Sequence, residues 1–289
     1  MKILLKISLK LFLIVICLYL IRDKLNLELL NLTGFDKTKF LLTFMIFFTS
    51  QIILGIRLKY ALNYFNEFIS LKKVLLFNFI SKIYSLFGLL GIAVDTSRFL
   101  LLSNEINSKK NIIKILFLDR ILGVSSILVL TALSGFIYFC IYFKIIILSL
   151  CMFILFLIIL YFLIKNKIYN FIISNILSKI QLKFNKYFFL SLFCSFLSWI
   201  LIIISLFYFF GEFINFNFIS LFAITICILI TIIPISPLGI GSANLGAVLV
   251  FGYFELNTNI GFLMISYMQL FMIIYILIFC IPLNIYNIF

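Results

Sequence analysis

Nine carboxylates, six thiols and no imidazole are the side chains with which this 289-residue chain would hold a metal ion or relay a proton near neutral pH. The carboxylates are Asp23, Glu28, Asp36, Glu67, Asp95, Glu105, Asp119, Glu212 and Glu255, and no two of them fall within four residues of each other. Mg²⁺-dependent chemistry on lipid diphosphates or activated alcohols uses clustered acids at helical spacing. Neither a metal site nor a cofactor is therefore expected, and the chain is not read as an enzyme. Cys17, Cys140, Cys151, Cys194, Cys227 and Cys280 all sit in apolar runs without a C-x-x-C pair, as packing residues do. What is left for chemistry is a small set of charges and polar groups beside breaks in apolar helices.

Two stretches hold most of them. GLLGIAVDTSRFLLL (88–102) contains Gly88, Gly91, Asp95 and Arg98, and PISPLGIGSANLGAVLV (234–250) contains Pro234, Ser236, Pro237, Gly239, Gly241 and Asn244. Leu90, Gly91, Ile92 and Ala93 match Leu238, Gly239, Ile240 and Gly241, each set following one apolar helix and preceding another. Broken helices at corresponding places in two halves of a membrane protein point to an inverted repeat with a site between the breaks near the midplane. The free N–H groups of such a break suit an anionic phosphate. Arg98 can meet that anion as a fork donor, and Ser242 and Asn244 offer neutral hydrogen bonds.

Plainer readings stay open beside these. Asp95 and Arg98 are three apart and can pair along one helix face merely to hold the helix in place. A charge at the bilayer centre costs at least ~2.5–3.5 kcal/mol and is usually functional, so depth decides between the two. Asp119 and Arg120 fit the cytoplasmic start of a span, with Asp119 favoured at a helix N-terminus. Arg57 and Lys59 fit a topological signal or contact with anionic lipid. Pro234 and Pro237 require only that the helix breaks there.

The elements that must position these residues follow from composition. Sixty-five per cent of the chain is hydrophobic and 11% charged, with mean hydropathy +1.32, against roughly 25% charged in soluble domains. Continuous apolar runs exclude an alternating transmembrane β-barrel. The expected fold is all-α, a single polytopic membrane domain over residues 1–289 with about seven or eight membrane helices. Two of these are expected to be re-entrant or broken.

Spans are expected at Leu11–Ile21, Phe40–Ile56, Ile121–Phe143, Ile145–Ile164, Tyr187–Phe210 and Phe262–Ile281, with Ile219–Ile233 entering again until Pro234 and Pro237 break it and an interfacial helix at 170–184. The net charge of +14 serves orientation, placing the N-terminus and the lysines of 165–186 on the cytoplasmic side. Ten basic residues between Arg57 and Arg120 call for one side of the membrane. Val74–Val94 is apolar enough to cross, yet a crossing would separate them. A pair of half-helices that goes in and returns keeps them together and implies a cavity; an ordinary span that tolerates the charge is the alternative.

The order of these features resembles the transmembrane domain of the lysylphosphatidylglycerol synthase and flippase family. That family has a basic loop after span two, a Gly-rich motif ending in Asp-x-x-Arg, an Asp-Arg pair opening a long helix, and a late Pro-x-Ser-Pro-Gly-Gly-x-Gly motif. Here Arg57, GIAVDTSR with Asp95 and Arg98, LFLDRILGVSSILVL with Asp119 and Arg120, and PISPLGIG from Pro234 to Gly241 stand in that order. The sequence departs from the pattern at Leu89, Leu90, Ala93 and Leu238. Ala243 and Asn244 stand where the family often has Arg-Glu, so a mechanism needing that pair does not carry over.

The resemblance implies a stand-alone, multi-pass protein of a bacterial or archaeal cytoplasmic membrane, without the aminoacyltransferase domain of longer members. It would flip a phospholipid or another lipid-linked, anionic substrate, with Asp95, Arg98, Ser236, Gly239, Gly241 and Asn244 along the headgroup path. Gly88, Gly91, Asp119, Arg120, Pro234 and Pro237 would serve as structural motif residues. The competing expectation is a non-transporting accessory protein for a lipid-modifying enzyme or glycosyltransferase partner. An ion-coupled solute transporter ranks third for want of intramembrane carboxylates, and nucleic acid is not an expected partner.

Overall fold

The computed structural model describes residues 36–86, 90–142, 185–211, 213–214, 217–232 and 240–282. The expected spans at 11–21 and 145–164 and the interfacial helix at 170–184 lie outside them, as do Gly88, Pro234, Ser236, Pro237 and Gly239. The described residues are helical with no strand among them: α1 (Lys37–Tyr64), α2 (Leu71–Ile83), a 3₁₀ turn (Tyr84–Leu86), α3 (Leu90–Ser103), α4 (Lys109–Tyr142), α5 (Lys186–Phe210), α6 (Phe218–Ile232), α7 (Ser242–Tyr253) and α8 (Thr258–Tyr275), which runs on into a π-helical turn (Ile276–Cys280). Four of these are long and apolar enough to cross a membrane: α1, α4, α5, and α8 with its π turn. The described chain thus has the make-up of an all-α membrane protein.

Helix α1 starts at Asp36, whose carboxylate accepts the N–H groups of Thr38 at 2.8 Å and Lys39 at 3.3 Å. Those two donors hold the Asp36 carboxyl below its ordinary range. Helices α1 and α5 form the most extensive pair and run antiparallel, since Phe40 meets Phe209 while Tyr64 meets Phe188. A stripe of serines makes that approach close. Ser191, Ser195, Ser198 and Ser205 recur at helical spacing, all buried, and Ser191 donates to the Arg57 carbonyl. Small residues let membrane helices pack by backbone proximity where there is no hydrophobic drive between them. The opposite face of α5 exposes Phe189, Phe193, Ile200, Ile204 and Tyr208, as a lipid-facing helix would.

Between α1 and α4 the chain makes a helical hairpin. Lys73 pairs with Glu105 at 2.9 Å, Arg98 with Asn78, and Ser97 with the Ser81 carbonyl at 3.4 Å. These contacts run α2 and α3 antiparallel. Both open ends sit beside the end of α1 and the start of α4: the Lys59 ammonium donates to the Ile69 carbonyl, and Asn111 donates to Glu67 at 3.0 Å. The 13 and 14 residues of α2 and α3 extend about 20 Å each, short of the ~30 Å of a bilayer's hydrocarbon. The stretch expected as one span over Val74–Val94 is therefore not one continuous helix, since one helix ends at Ile83 and the next begins at Leu90. Leu71–Ile83 cannot continue, because the chain tightens at 84–86 and turns back on itself.

A second hairpin, α6–α7, has the opposite sense. Gly246 packs on Ile230 and Phe254 on Phe222, so the two arms are antiparallel. Phe222 also stacks on Tyr138 and Ser134 bonds Thr225 at 3.1 Å, which places the open end of this hairpin beside the end of α4, away from the first. Its arms of 15 and 12 residues are likewise short. The buried apolar residues divide accordingly. One cluster joins the second hairpin to α8 and to the first half of α1; the other joins α2, α3 and the start of α4 to the second half of α1. Polar side chains lie where the two clusters meet.

Candidate functional site

Five helices contribute to that polar layer. Arg57 of α1 makes a two-point pair with Asp119 of α4, Nε to Oδ1 at 2.7 Å and Nη2 to Oδ2 at 2.8 Å. Its remaining nitrogen, Nη1, reaches Ser195 Oγ of α5 at 3.5 Å. Arg98 of α3 donates from Nη1 to the same Asp119 carboxylate at 3.2 Å and from Nη2 to Asn78 Oδ1 of α2. Asp119 and both arginines are over 90% buried, and the fork geometry of guanidinium on carboxylate is the arrangement that best offsets such burial.

A second pair lies nearer the edge of this layer. Asp95 of α3 meets Arg120 of α4 at 2.6 Å and stands 3.9 Å from Arg98. The i,i+3 spacing of Asp95 and Arg98 therefore produces only the longer contact, because the neighbouring helix brings a better-placed cation to Asp95. Asp119 is not at the start of its helix. Lys109 opens α4, and ten residues at 1.5 Å each put Asp119 about 15 Å along it. Arg57, read from sequence as a topological signal or a lipid contact, is buried with Asp119 as its partner.

These groups line a cavity of ≈ 210 Å³ between the two hairpins. Lys82 from the tip region of α2, Asp95 and Arg98 from α3, and Asp119 and Arg120 from α4 form one side; Thr231 and Ile232 at the inner end of α6 and Gln269 of α8 form the other. The volume takes several waters or a small polar headgroup, not acyl chains. Gly123 and Trp199 complete the wall. A Cβ at Gly123 would stand 2.7 Å from Arg57 Nη1, so the absence of a side chain is what admits the guanidinium. The Trp199 indole donates to the Gly123 carbonyl at 2.9 Å.

The second hairpin supplies uncharged groups. Gly241 has φ 85°, a left-handed conformation that glycine adopts without strain, and its N–H donates to Asn244 Oδ1 at 3.1 Å. Gln269 donates to the same oxygen at 3.0 Å, and Asn244 Nδ2 donates to Ser266 at 2.8 Å. Asn244 thus sits behind Gln269 and orients it, while Gln269 faces the cavity. Gly91 lies in the first turn of α3.

Of the residues singled out in the sequence, Asp95, Arg98, Asp119 and Arg120 come together in the cavity lining, whereas Gly241 and Asn244 are not part of it and lie behind Gln269. Sequence reasoning missed Asn78, Lys82, Gln51, Trp199 and Gln269 as members of this region. A signal was present for three of them: Gln51, Asn78 and Gln269 are single amides inside otherwise apolar helical runs, and polar groups there are usually functional. Among the described residues no cluster of three potential metal ligands occurs. Compared with family models, curated proteins and solved structures, the chain matches none.

Proposed function

We propose that this protein moves the anionic head of a lipid between the two leaflets of a membrane, through the cavity between its two hairpins. The observation that carries this reading is the convergence of buried cations on a cavity lying between two short helical hairpins of opposite sense. A headgroup needs a polar way through the hydrocarbon while its chains remain outside. Irregular backbone at membrane depth is tolerated where it lines such a cavity, and paired broken helices are a recurrent frame for substrate sites. On this reading both hairpins are re-entrant, and the segments at 11–21 and 145–164 complete seven or eight membrane elements. The motif order shared with the lysylphosphatidylglycerol synthase and flippase family supports a cytoplasmic-membrane location and a lipid-linked substrate.

Arg98 holds the anion in this scheme, Asp95 and Arg120 form the partly exposed edge of the path, and Gln269, set by Asn244, offers neutral hydrogen bonds opposite. The rival reading is a non-transporting partner for a lipid-modifying enzyme or glycosyltransferase. The closed Arg57–Asp119 pair favours it, since a cluster consumed by internal bonds can serve packing alone. Inter-leaflet transfer of an anionic reporter lipid in proteoliposomes separates the two. Protein-dependent transfer that is lost in Arg98→Ala, at matched folding and reconstitution, supports translocation. Absence of transfer by folded wild type across several headgroups and an imposed ion gradient overturns it in favour of the accessory role.

A further inference from the structure

Charge within the cavity narrows the substrate beyond what a translocation role requires. Among the described residues, Arg57, Lys82, Arg98 and Arg120 face only Asp95 and Asp119 there. In their ordinary ionised forms these leave two positive charges without a counter-charge in the lining. The carboxylates are spoken for: Asp119 receives Arg57 and Arg98, and Asp95 receives Arg120. The Lys82 ammonium has neither a hydrogen bond nor an ion pair among the described residues. Arg98, over 90% buried, keeps its Nε–H without an acceptor among the described residues. A buried charged donor left unsatisfied is costly, and the half-buried Lys82 ammonium stands beside it in the cavity lining, so both are poised for an anion from outside the chain.

Two unmatched cations ask for two negative charges. A phosphodiester headgroup brings one. A phosphate monoester carries ≈ −1.5 to −2 at pH 7 and three strong acceptor oxygens. Resting on the translocation reading, we infer that the cavity takes a phosphate monoester, the terminal phosphate of a phosphorylated lipid, in preference to a phosphodiester head, with Lys82 and Arg98 as its contacts. Lys82 serves as the point charge and Arg98 Nε as a directed donor. The neutral amide of Gln269 leaves the opposite wall without further charge.

The test uses the full chain in nanodiscs of zwitterionic phosphatidylcholine, titrated with phosphatidic acid, with phosphatidylglycerol, or with water-soluble glycerol phosphate. Trp199 is the sole tryptophan of the sequence and lines the cavity, so its fluorescence reports occupancy; equilibrium retention of labelled lipid gives an independent readout. Phosphatidic acid should bind about tenfold or more tightly than phosphatidylglycerol. Lys82→Met, which removes a side chain that holds nothing else, should weaken phosphatidic acid on the order of thirtyfold, and Lys82→Arg should restore most of it. Equal binding of the two lipids, or a preference that survives Lys82→Met, overturns the inference while leaving lipid transfer intact. Glycerol phosphate binding as tightly as phosphatidic acid would support the phosphate site and overturn the lipid reading instead, because the substrate would then be water-borne.

Discussion

Removing Asp119 should be the most damaging single change in the polar layer. Asp119→Ala takes away the carboxylate that meets both Arg57 and Arg98 and leaves two buried guanidiniums facing Lys82 and Arg120. Two unit charges roughly 4 Å apart interact by about 4 kcal/mol at an effective dielectric constant of 20, and breaking a buried pair by deleting one partner costs about 3–5 kcal/mol. Asp119→Ala and Arg57→Met should each fall in that range. The double variant should cost less than their sum by about 2–3 kcal/mol, a coupling typical of residues in one network. Repeating the cycle with Arg98 in place of Arg57 should give a smaller coupling, because Arg98 makes one contact of 3.2 Å where Arg57 makes two, of 2.7 and 2.8 Å. Reversible denaturation in bicelles, followed by far-ultraviolet circular dichroism, measures both cycles. Additivity within about 0.5 kcal/mol for the Arg57 cycle, or a larger coupling for Arg98, would refute the arrangement.

Other outcomes follow from single contacts. Gly123→Ala places a methyl group 2.7 Å from Arg57 Nη1 and should lower stability by about 1–3 kcal/mol, read as a drop in Tm; an unchanged Tm would mean that Arg57 is not held there. Trp199→Phe loses its bond to the Gly123 carbonyl and should cost about 1 kcal/mol in the same melt. Asn244→Ala strands the donors of Gly241 and Gln269, so reporter-lipid transfer should fall together with stability, whereas an accessory role would show only the second effect. Single cysteines at Phe68 and Asn104, both exposed at the open end of the first hairpin, should react with a membrane-impermeant maleimide from the same side, and one at Tyr253 from the other. Labelling of 68 and 104 from opposite sides would show a full crossing at α2.

The helices were legible because apolar periodicity and length scarcely depend on tertiary context. Tyr187–Phe210 and Ile219–Ile233 each lie within one residue of the helices found, Lys186–Phe210 and Phe218–Ile232. Charge counting around 57–120 favoured the first hairpin, because ten cations cannot be divided cheaply between two sides of a membrane. The true starts of α1 and α4 were less readable. Lys109, Lys110 and Lys114 look like loop residues in a hydropathy profile, yet they form the first turns of a helix that extends past the apolar run. Pairing within the site was least accessible. Arg57 and Asp119 are 62 residues apart, so their contact depends on how α1 lies against α4. Sequence spacing instead suggested the local Asp95–Arg98 pair, which the Arg120 side chain displaces.

The two hairpins are opposite in direction but unlike in charge. Lys82, Asp95 and Arg98 all belong to the first, whereas the inner end of the second offers Thr231 and, through Asn244, the amide of Gln269. A carrier built on this plan has a resting place for its cargo that is off-centre, deep on one flank and shallow on the other. Reaching the well is downhill from either side, but departure is always against the same attraction. Turnover would then be governed by release, so a change that tightens the grip on the anion, such as one more cation beside Lys82, should fill the cavity more completely and empty it more slowly. Affinity and rate would move in opposite directions.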